Sequence, residues 1–266
     1  YERLSDIKHT FMQFANKIPP DGLVIINLDD KNLKKVKGEI KKRLLTYGFA
    51  SQSDIRIYSA KYFHDSSVFK VKYKNRVLGE IKLKIPGDYN IRNATAAIAV
   101  GCELGLPFSK IKKGIEAFSG VHRRWQKKGE KKSILLYDDY AHHPTECQSA
   151  LRGAKAGWDR RLVCVFQPHL YSRTRDFYRD FAKSLSIADI VLVTEIYKAR
   201  EEPIKGGSGK IIQEERERLG TAESQDLPNK ELVPASLKKI AKSGDLVVTM
   251  GAGDIYKYGE QFLTEL

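Results

Sequence analysis

The spacing of hydrophobic positions changes rhythm near residue 120 of this 266-residue chain. Before that point the order of elements is mixed. Ile7, Phe11, Phe14 and Ile18 recur at helical spacing, and Pro19-Pro20 end the helix they predict. The unbroken apolar run LVIINL (23–28) reads as a buried strand, followed by Asp29-Asp30 and a Lys-rich helix. From Asp54 to Ile85 the pattern alternates, and a turn at Asn75-Arg76 makes a hairpin of its last two strands. Pro86-Gly87 closes that region. A small-residue helix runs from Asn90 to Glu103, Gly105-Leu106-Pro107 breaks it, and Ser109 is placed to N-cap the next one.

After Gly120 strands and helices alternate strictly. Strands are predicted at 133–138, 161–166, 189–196 and 245–250, with a weak one at Thr221–Gln225. Helices are predicted over Pro144–Ala156, Arg175–Ser186, Lys210–Leu219, Lys230–Lys242 and Ile255–Leu266. Repeated βα units predict an α/β fold with a mainly parallel sheet and helices on both faces. Ligands in such sheets sit beyond the carboxyl ends of the strands.

Composition narrows the class. With 41% hydrophobic and 10% aromatic residues the chain is not disordered. No apolar run approaches the ~20 residues of a membrane helix, so no membrane role is expected. The opening YERLSDIKHTF lacks a signal-peptide pattern. It also starts within a predicted helix and without Met, which suggests a fragment. Forty-seven Lys and Arg against 33 Asp and Glu give a formal charge of +14. That balance suits anionic partners, though a Lys-rich enzyme surface explains it as well. The Lys clusters at Lys34-Lys35, Lys41-Lys42-Arg43, Lys127-Lys128 and Lys131-Lys132 lack interleaved aromatics, and no nucleic-acid-binding motif accompanies them. Cys102, Cys147 and Cys164 form no CxxC or zinc pattern, which points to a reducing, cytoplasmic setting.

Candidate chemistry gathers where strands end. The first strand of the second half runs into Asp138, Asp139, Tyr140, His142 and His143, the second into His169, Leu170 and Arg173. The third runs into Tyr197 and Arg200, the fourth into Gly251-Ala252-Gly253. Either aspartate is equally a helix cap. Adjacent histidines point apart, so no metal is expected at His142-His143. Gly251-Ala252-Gly253 lacks the third glycine of a dinucleotide fingerprint. Arg123 and Arg124 suit phosphates or solvent alike. Asn90 and Asn93 share a helix face, where their amides match an adenine edge or merely cap the helix.

Together the strings G-D-Y-N-I-R-N-A-T-A-A-I-A-V (87–100), G-V-H-R-R-W (120–125), D-D-Y-A-H-H-P-T-E (138–146), F-Q-P-H-L-Y-S-R-T (166–174) and Y-K-A-R-E-E-P-I (197–204) resemble the Mur ligase family along essentially the whole chain. The resemblance implies an ATP-dependent ligase that activates the carboxylate of a UDP-sugar as an acyl phosphate, which an amino acid then attacks. Within the family the F-Q-P-H string favours the branch that adds L-alanine to UDP-N-acetylmuramate; the murein peptide recycling ligase is the alternative. The implied architecture is the remainder of the central ATPase domain (1–121) followed by a Rossmann-like C-terminal ligase domain (122–266). Asn90 and Asn93 then match the adenine-holding pair, Arg124 the arginine at the ATP phosphates, and Asp139 the carboxylate at the ribose. Tyr140, His142, His169 and Arg173 match positions around the muramyl carboxylate and the alanine, with Arg124, His142, His169 and Arg173 as the catalytic candidates. Tyr89 and Leu170 depart from the residues many members carry there. No GxxxxGK[ST] occurs, so the phosphate-cradling loop and the Mg2+ ligands are expected outside this chain, which is expected to form no acyl phosphate alone.

Overall fold

The computed structural model describes residues 3–204, 207–220 and 223–266. They divide into two compact units, one ending at Ser119 and one starting at Gly120.

The first unit contains α1 (Leu4–Asn16), β1 (Val24–Asn27), α2 (Lys31–Val36), β2 (Leu44–Gly48), β3 (Ile55–Tyr62), β4 (Ser67–Tyr73), β5 (Arg76–Leu83), α3 (Asp88–Glu103) and α4 (Phe108–Ala117). Its sheet runs β1-β2-β3-β4-β5, parallel across the first three strands and antiparallel across the last three. Alternate positions Ile55, Ile57, Phe69, Val71, Ile81 and Leu83 pack against Ile91, Ala94 and Ile98 of α3. Arg92 of α3 donates from Nε to Asp29 Oδ2 at 3.0 Å, tying the first turns of the helix to the segment after β1.

The second unit contains β6 (Gln126–Lys131), β7 (Ile134–Asp139), α5 (Pro144–Gly157), β8 (Leu162–Phe166), α6 (Tyr171–Leu185), β9 (Ile190–Thr194), α7 (Lys210–Arg218), β10 (Ser224–Leu227), α8 (Val233–Ile240), β11 (Leu246–Met250) and α9 (Ile255–Glu265). Its sheet order is β10-β9-β8-β11-β7-β6, parallel except for the antiparallel edge strand β6. The two-residue period of the strands splits the core into two layers. Leu135, Tyr137, Cys164, Phe166, Val191 and Val248 meet Leu151 of α5, Phe181 of α6 and Ile212 of α7. Leu136, Val163, Val165, Leu192 and Val247 meet Leu237 of α8 and Phe262 of α9.

Several expectations need correction. Helix α1 forms as its spacing predicts, but its buried residues are Met12 and Ala15, while Phe11 and Phe14 are exposed. Pro107, not Ser109, precedes α4, with no side-chain cap. Asn90 is no cap either: α3 starts at Asp88 behind Gly87, whose φ of 102° only glycine adopts freely. The hairpin turn lies at Lys74-Asn75, because Tyr73 pairs with Arg76. Helix α6 starts at Tyr171, a turn earlier than its apolar spacing shows, so Arg173 is helical. Strands β2 and β6 escape the hydrophobic pattern; β6 is Lys-rich, as exposed edges often are. The weak strand appears at Ser224–Leu227, while Thr221 and Ala222 lie outside the described residues.

The reassigned face of α1 is directly testable. Met12→Ala should cost about 2–5 kcal/mol in urea unfolding. Phe14→Ala should stay within about 0.5 kcal/mol of the unaltered protein. The reverse order would restore the face that spacing alone suggests.

Candidate active site at the carboxyl ends of the strands

The end of β7 carries two adjacent buried carboxylates. Asp138 accepts from Arg123 Nε at 3.0 Å and from Thr249 Oγ1 at 2.8 Å. Asp139 accepts one backbone N–H on each oxygen, from Trp125 and from Ala141, both at 2.8 Å. Only 3% of Asp139 is exposed. Its burial pushes the carboxyl up to about 6 even though both N–H groups favour the anion. The carboxylate thus ties the 123–125 turn to the loop after β7, and in this turn Arg123 and Trp125 hold φ values of 61° and 46°.

That turn separates the two arginines. Arg123 Nη2 donates to the Gly251 carbonyl at 2.7 Å, and its guanidinium sits 4.8 Å from the Tyr140 ring and 4.5 Å from the Tyr256 ring. Two of its three nitrogens are bonded and two aromatic rings lie against it. Arg124 points out, 45% exposed, with one loose ion pair to Glu146 at 3.8 Å. A guanidinium in that state keeps donors for an incoming anion.

Glu146 also organises the start of α5. Its Oε2 accepts from the backbone N–H of His142 at 3.0 Å and of His143 at 3.2 Å, and His143 caps the helix. Pro144 at the first helical position suits this start. His143 therefore belongs to the helix, its ring tilted against Phe177, whereas His142 turns toward the β8 end. The His142 and His169 rings lie 5.8 Å apart, and Tyr140 meets His142 edge-on at 5.4 Å.

His169 is held from three sides. Its ring stacks on Tyr197 at 5.7 Å, its Nδ1 lies 3.3 Å from Arg173 Nη1, and the next residue, Leu170, has a φ of 72°. The Leu170 N–H donates to the Tyr197 carbonyl at 3.1 Å, which pins that strained residue. Burial first, then the charges of Arg173 and His142, hold the His169 imidazole below its ordinary pKa. Below it, buried Gln167 bonds both the N–H and the carboxylate of Asp254, which Lys230 neutralises. Gly251 and Gly253 make room for this packing. A Cβ at Gly251 would lie 2.5 Å from the Gln167 carbonyl, and one at Gly253 2.2 Å from Gln167 Oε1.

The structure thus brings Arg124, Tyr140, His142, His169 and Arg173 to one edge of the second unit's sheet, with Asp139 buried beneath them. Asn90 and Asn93 belong to the first unit, on α3. Asn90 donates from Nδ2 to the Pro86 carbonyl at 2.6 Å, and Asn93 is exposed. Sequence reasoning gave no role to Glu146, Gln167 or Tyr197, and it offered Arg123 for phosphates or solvent, neither of which is its place here. The box of His143 and Glu146 around Pro144 was a readable signal; nothing in the spacing separates Arg123 from Arg124. Among the described residues no group of three or more His, Cys, Asp and Glu is arranged to hold a metal ion. No helix among them is long and apolar enough to cross a membrane.

Two family models match the chain: the Mur ligase middle domain over residues 1–101, and the Mur ligase glutamate ligase domain over 123–253. The chain belongs to the Mur ligase family. A UDP-N-acetylmuramate–L-alanine ligase of Geotalea uraniireducens is 42% identical over 266 residues, which is 100% of this chain and 58% of that protein. The enzyme of the same name from Geobacter sulfurreducens is 42% identical over 264 residues, 99% of this chain and 57% of its own length. The crystal structure of the UDP-N-acetylmuramate–alanine ligase MurC from Thermotoga maritima matches with a TM-score of 0.78 at 26% identity, over 99% of this chain and 55% of that one. The chain therefore spans little more than half the length of these relatives.

The buried Asp139 makes stability depend on pH. The folded state keeps its proton up to about pH 6, while the unfolded chain releases it near the ordinary value of 3.8. The folded state thus binds more protons between those values, and the Asp139 contribution to stability falls as pH rises from about 4 to about 6. Urea unfolding across that range should show the unaltered protein losing about 2–3 kcal/mol relative to Asp139→Asn. A constant difference would mean the carboxylate is solvated.

Proposed function

We propose that this chain carries the nucleotide-contacting and amine-transfer residues of a cytoplasmic, ATP-dependent ligase. Its reaction joins L-alanine to the carboxylate of UDP-N-acetylmuramate through an acyl phosphate, in peptidoglycan precursor synthesis. The observation that carries the reading is the convergence of Arg124, His142, His169 and Arg173 at the carboxyl ends of β7 and β8. The 42% identity to alanine-adding enzymes along the full chain supports the choice of substrates.

Each residue has a task in that reaction. Acyl phosphate formation and amine attack both build negative charge on oxygen, which fixed cations stabilise best in a water-poor site. Arg124 is the cation for ATP phosphates, because Arg123 is already committed. Arg173 faces the alanine carboxylate or the developing oxyanion; of its donors only the one on His169 Nδ1 is used by a side chain in the described site. Tyr140 supplies an aromatic wall under both arginines. Asn90 and Asn93 are the adenine candidates of the first unit. The ribose role of Asp139 rests on the resemblance; its geometry supports the holding of the Arg123–Trp125 turn. The described residues do not fit a magnesium site of their own. The phosphate-cradling loop must likewise come from outside these 266 residues.

Phosphate release dependent on ATP, UDP-N-acetylmuramate and alanine tests the reading. The 266-residue chain by itself should show none. A protein of the relatives' full length carrying these residues should turn over, and Arg173→Ala in it should lower kcat by about 100-fold while the ATP affinity moves less than about twofold. An unchanged kcat removes Arg173 from the site.

A further inference from the structure

Both histidines of the site contact groups whose hydrogen-bonding capacity is fixed, and this assigns their tautomers. His142 Nδ1 lies 3.0 Å from the Tyr140 carbonyl oxygen and 3.4 Å from Glu146 Oε2. Both oxygens only accept, so Nδ1 carries the hydrogen and the neutral ring keeps its lone pair on Nε2. His169 Nδ1 lies 3.3 Å from Arg173 Nη1. A guanidinium only donates, so this Nδ1 accepts and the hydrogen of the neutral ring sits on Nε2. A second proton on His169 would drive an N–H against the guanidinium. The paired rings therefore present one acceptor, at His142, and one donor, at His169.

We propose that His142, and not His169, takes the proton from the incoming ammonium group, with Glu146 and the Tyr140 carbonyl fixing its ring. The proposal rests on the ligase reading and deepens it. An amino acid at neutral pH arrives as an ammonium ion, without a lone pair for attack. One proton passes to His142 Nε2, and the freed nitrogen pair forms the bond to the acyl carbon. The carbon–oxygen bond to phosphate then breaks and the phosphate leaves with the electron pair. The nitrogen gives up its second proton to the departing phosphate as the amide forms. The His169 Nε2–H group is a donor for the acyl oxygen, where charge develops.

Glu146 is the positioning residue. One oxygen faces the His142 ring and backbone, and the other faces Arg124 at 3.8 Å. The charged and titratable groups around His142 are Glu146 from α5, Tyr140 from the loop after β7, and His169 from the loop after β8, with Arg124 acting through Glu146. Substituting Gln at 146 keeps the capping box and removes the anion.

Nitrogen NMR of the 266-residue chain reads the tautomers without any activity. The expected result is Nδ1–H at His142 and Nε2–H at His169; the opposite pair of tautomers overturns the proposal whatever the protein's reaction. In the full-length protein, His142→Asn keeps an amide N–H for the Tyr140 carbonyl but no base. It should lower kcat about 100-fold or more with KM for ATP within about twofold; a kcat within about threefold of the unaltered protein overturns it. Glu146→Gln should lower kcat about tenfold with KM for ATP within about twofold, and an unchanged kcat rules out its role. His169→Gln, which keeps a donor, should turn over about tenfold faster than His169→Ala, and equal rates would remove the donor role. Absence of alanine-dependent phosphate release by the unaltered full-length protein would sink the ligase reading, while the NMR result would stand on its own.

Discussion

Two neighbouring carboxylates at the end of one buried strand set the terms for the rest of the site. A strand sends successive side chains to opposite faces, so Asp138 and Asp139 cannot share partners. Each is out of water, and an unpaired charge there would be prohibitive. Asp138 is met by Arg123 and Thr249, Asp139 by two backbone N–H groups. Those demands force the 123–125 turn into left-handed backbone and draw Arg123 inward between two tyrosines. Arg124 is left outward because its neighbour is not.

The same division recurs along the sheet edge. In each doubled motif at least one member is structural. Arg123 is clamped and Arg124 is open. His143 caps α5 and His142 faces the β8 loop. At the next strand, strain at Leu170 and stacking on Tyr197 hold His169 against Arg173. Gly251 and Gly253 serve Gln167, which no side chain at those positions would allow to pack. The proposed reactive groups stand in fixed orientations because the residues beside them are held by hydrogen bonds and ring contacts. Preorganised donors cost nothing to reorient when charge develops, which is the physical requirement of acyl transfer.

The parallel architecture of the second unit was legible in the sequence because strands buried on both faces read as unbroken apolar runs. The residues at their ends followed from topology, since a parallel sheet leaves its carboxyl ends for the site. The short strands β2 and β6 were not legible. LLTYG is brief, and QKKGEK owes its strand state to pairing with β7 rather than to its own side chains. Helix α1 was legible from its spacing, but its buried face was not. Its two phenylalanines mark a helical spacing, but the small Ala15 and flexible Met12 fit against the neighbouring β1 and α2 residues.

The sequence by itself determined the α/β class, the positions of the main strands, the family and the set of polar residues at the strand ends. Those properties follow from local periodicity and from strings of adjacent residues. Tertiary structure decided which arginine is buried, which histidine accepts and which donates, and that Asp139 is sealed in the interior. Such roles depend on partners up to more than a hundred positions away, as between Arg123 and Gly251. Burial, charge and hydrogen-bonding direction exist only once the chain has closed around those contacts.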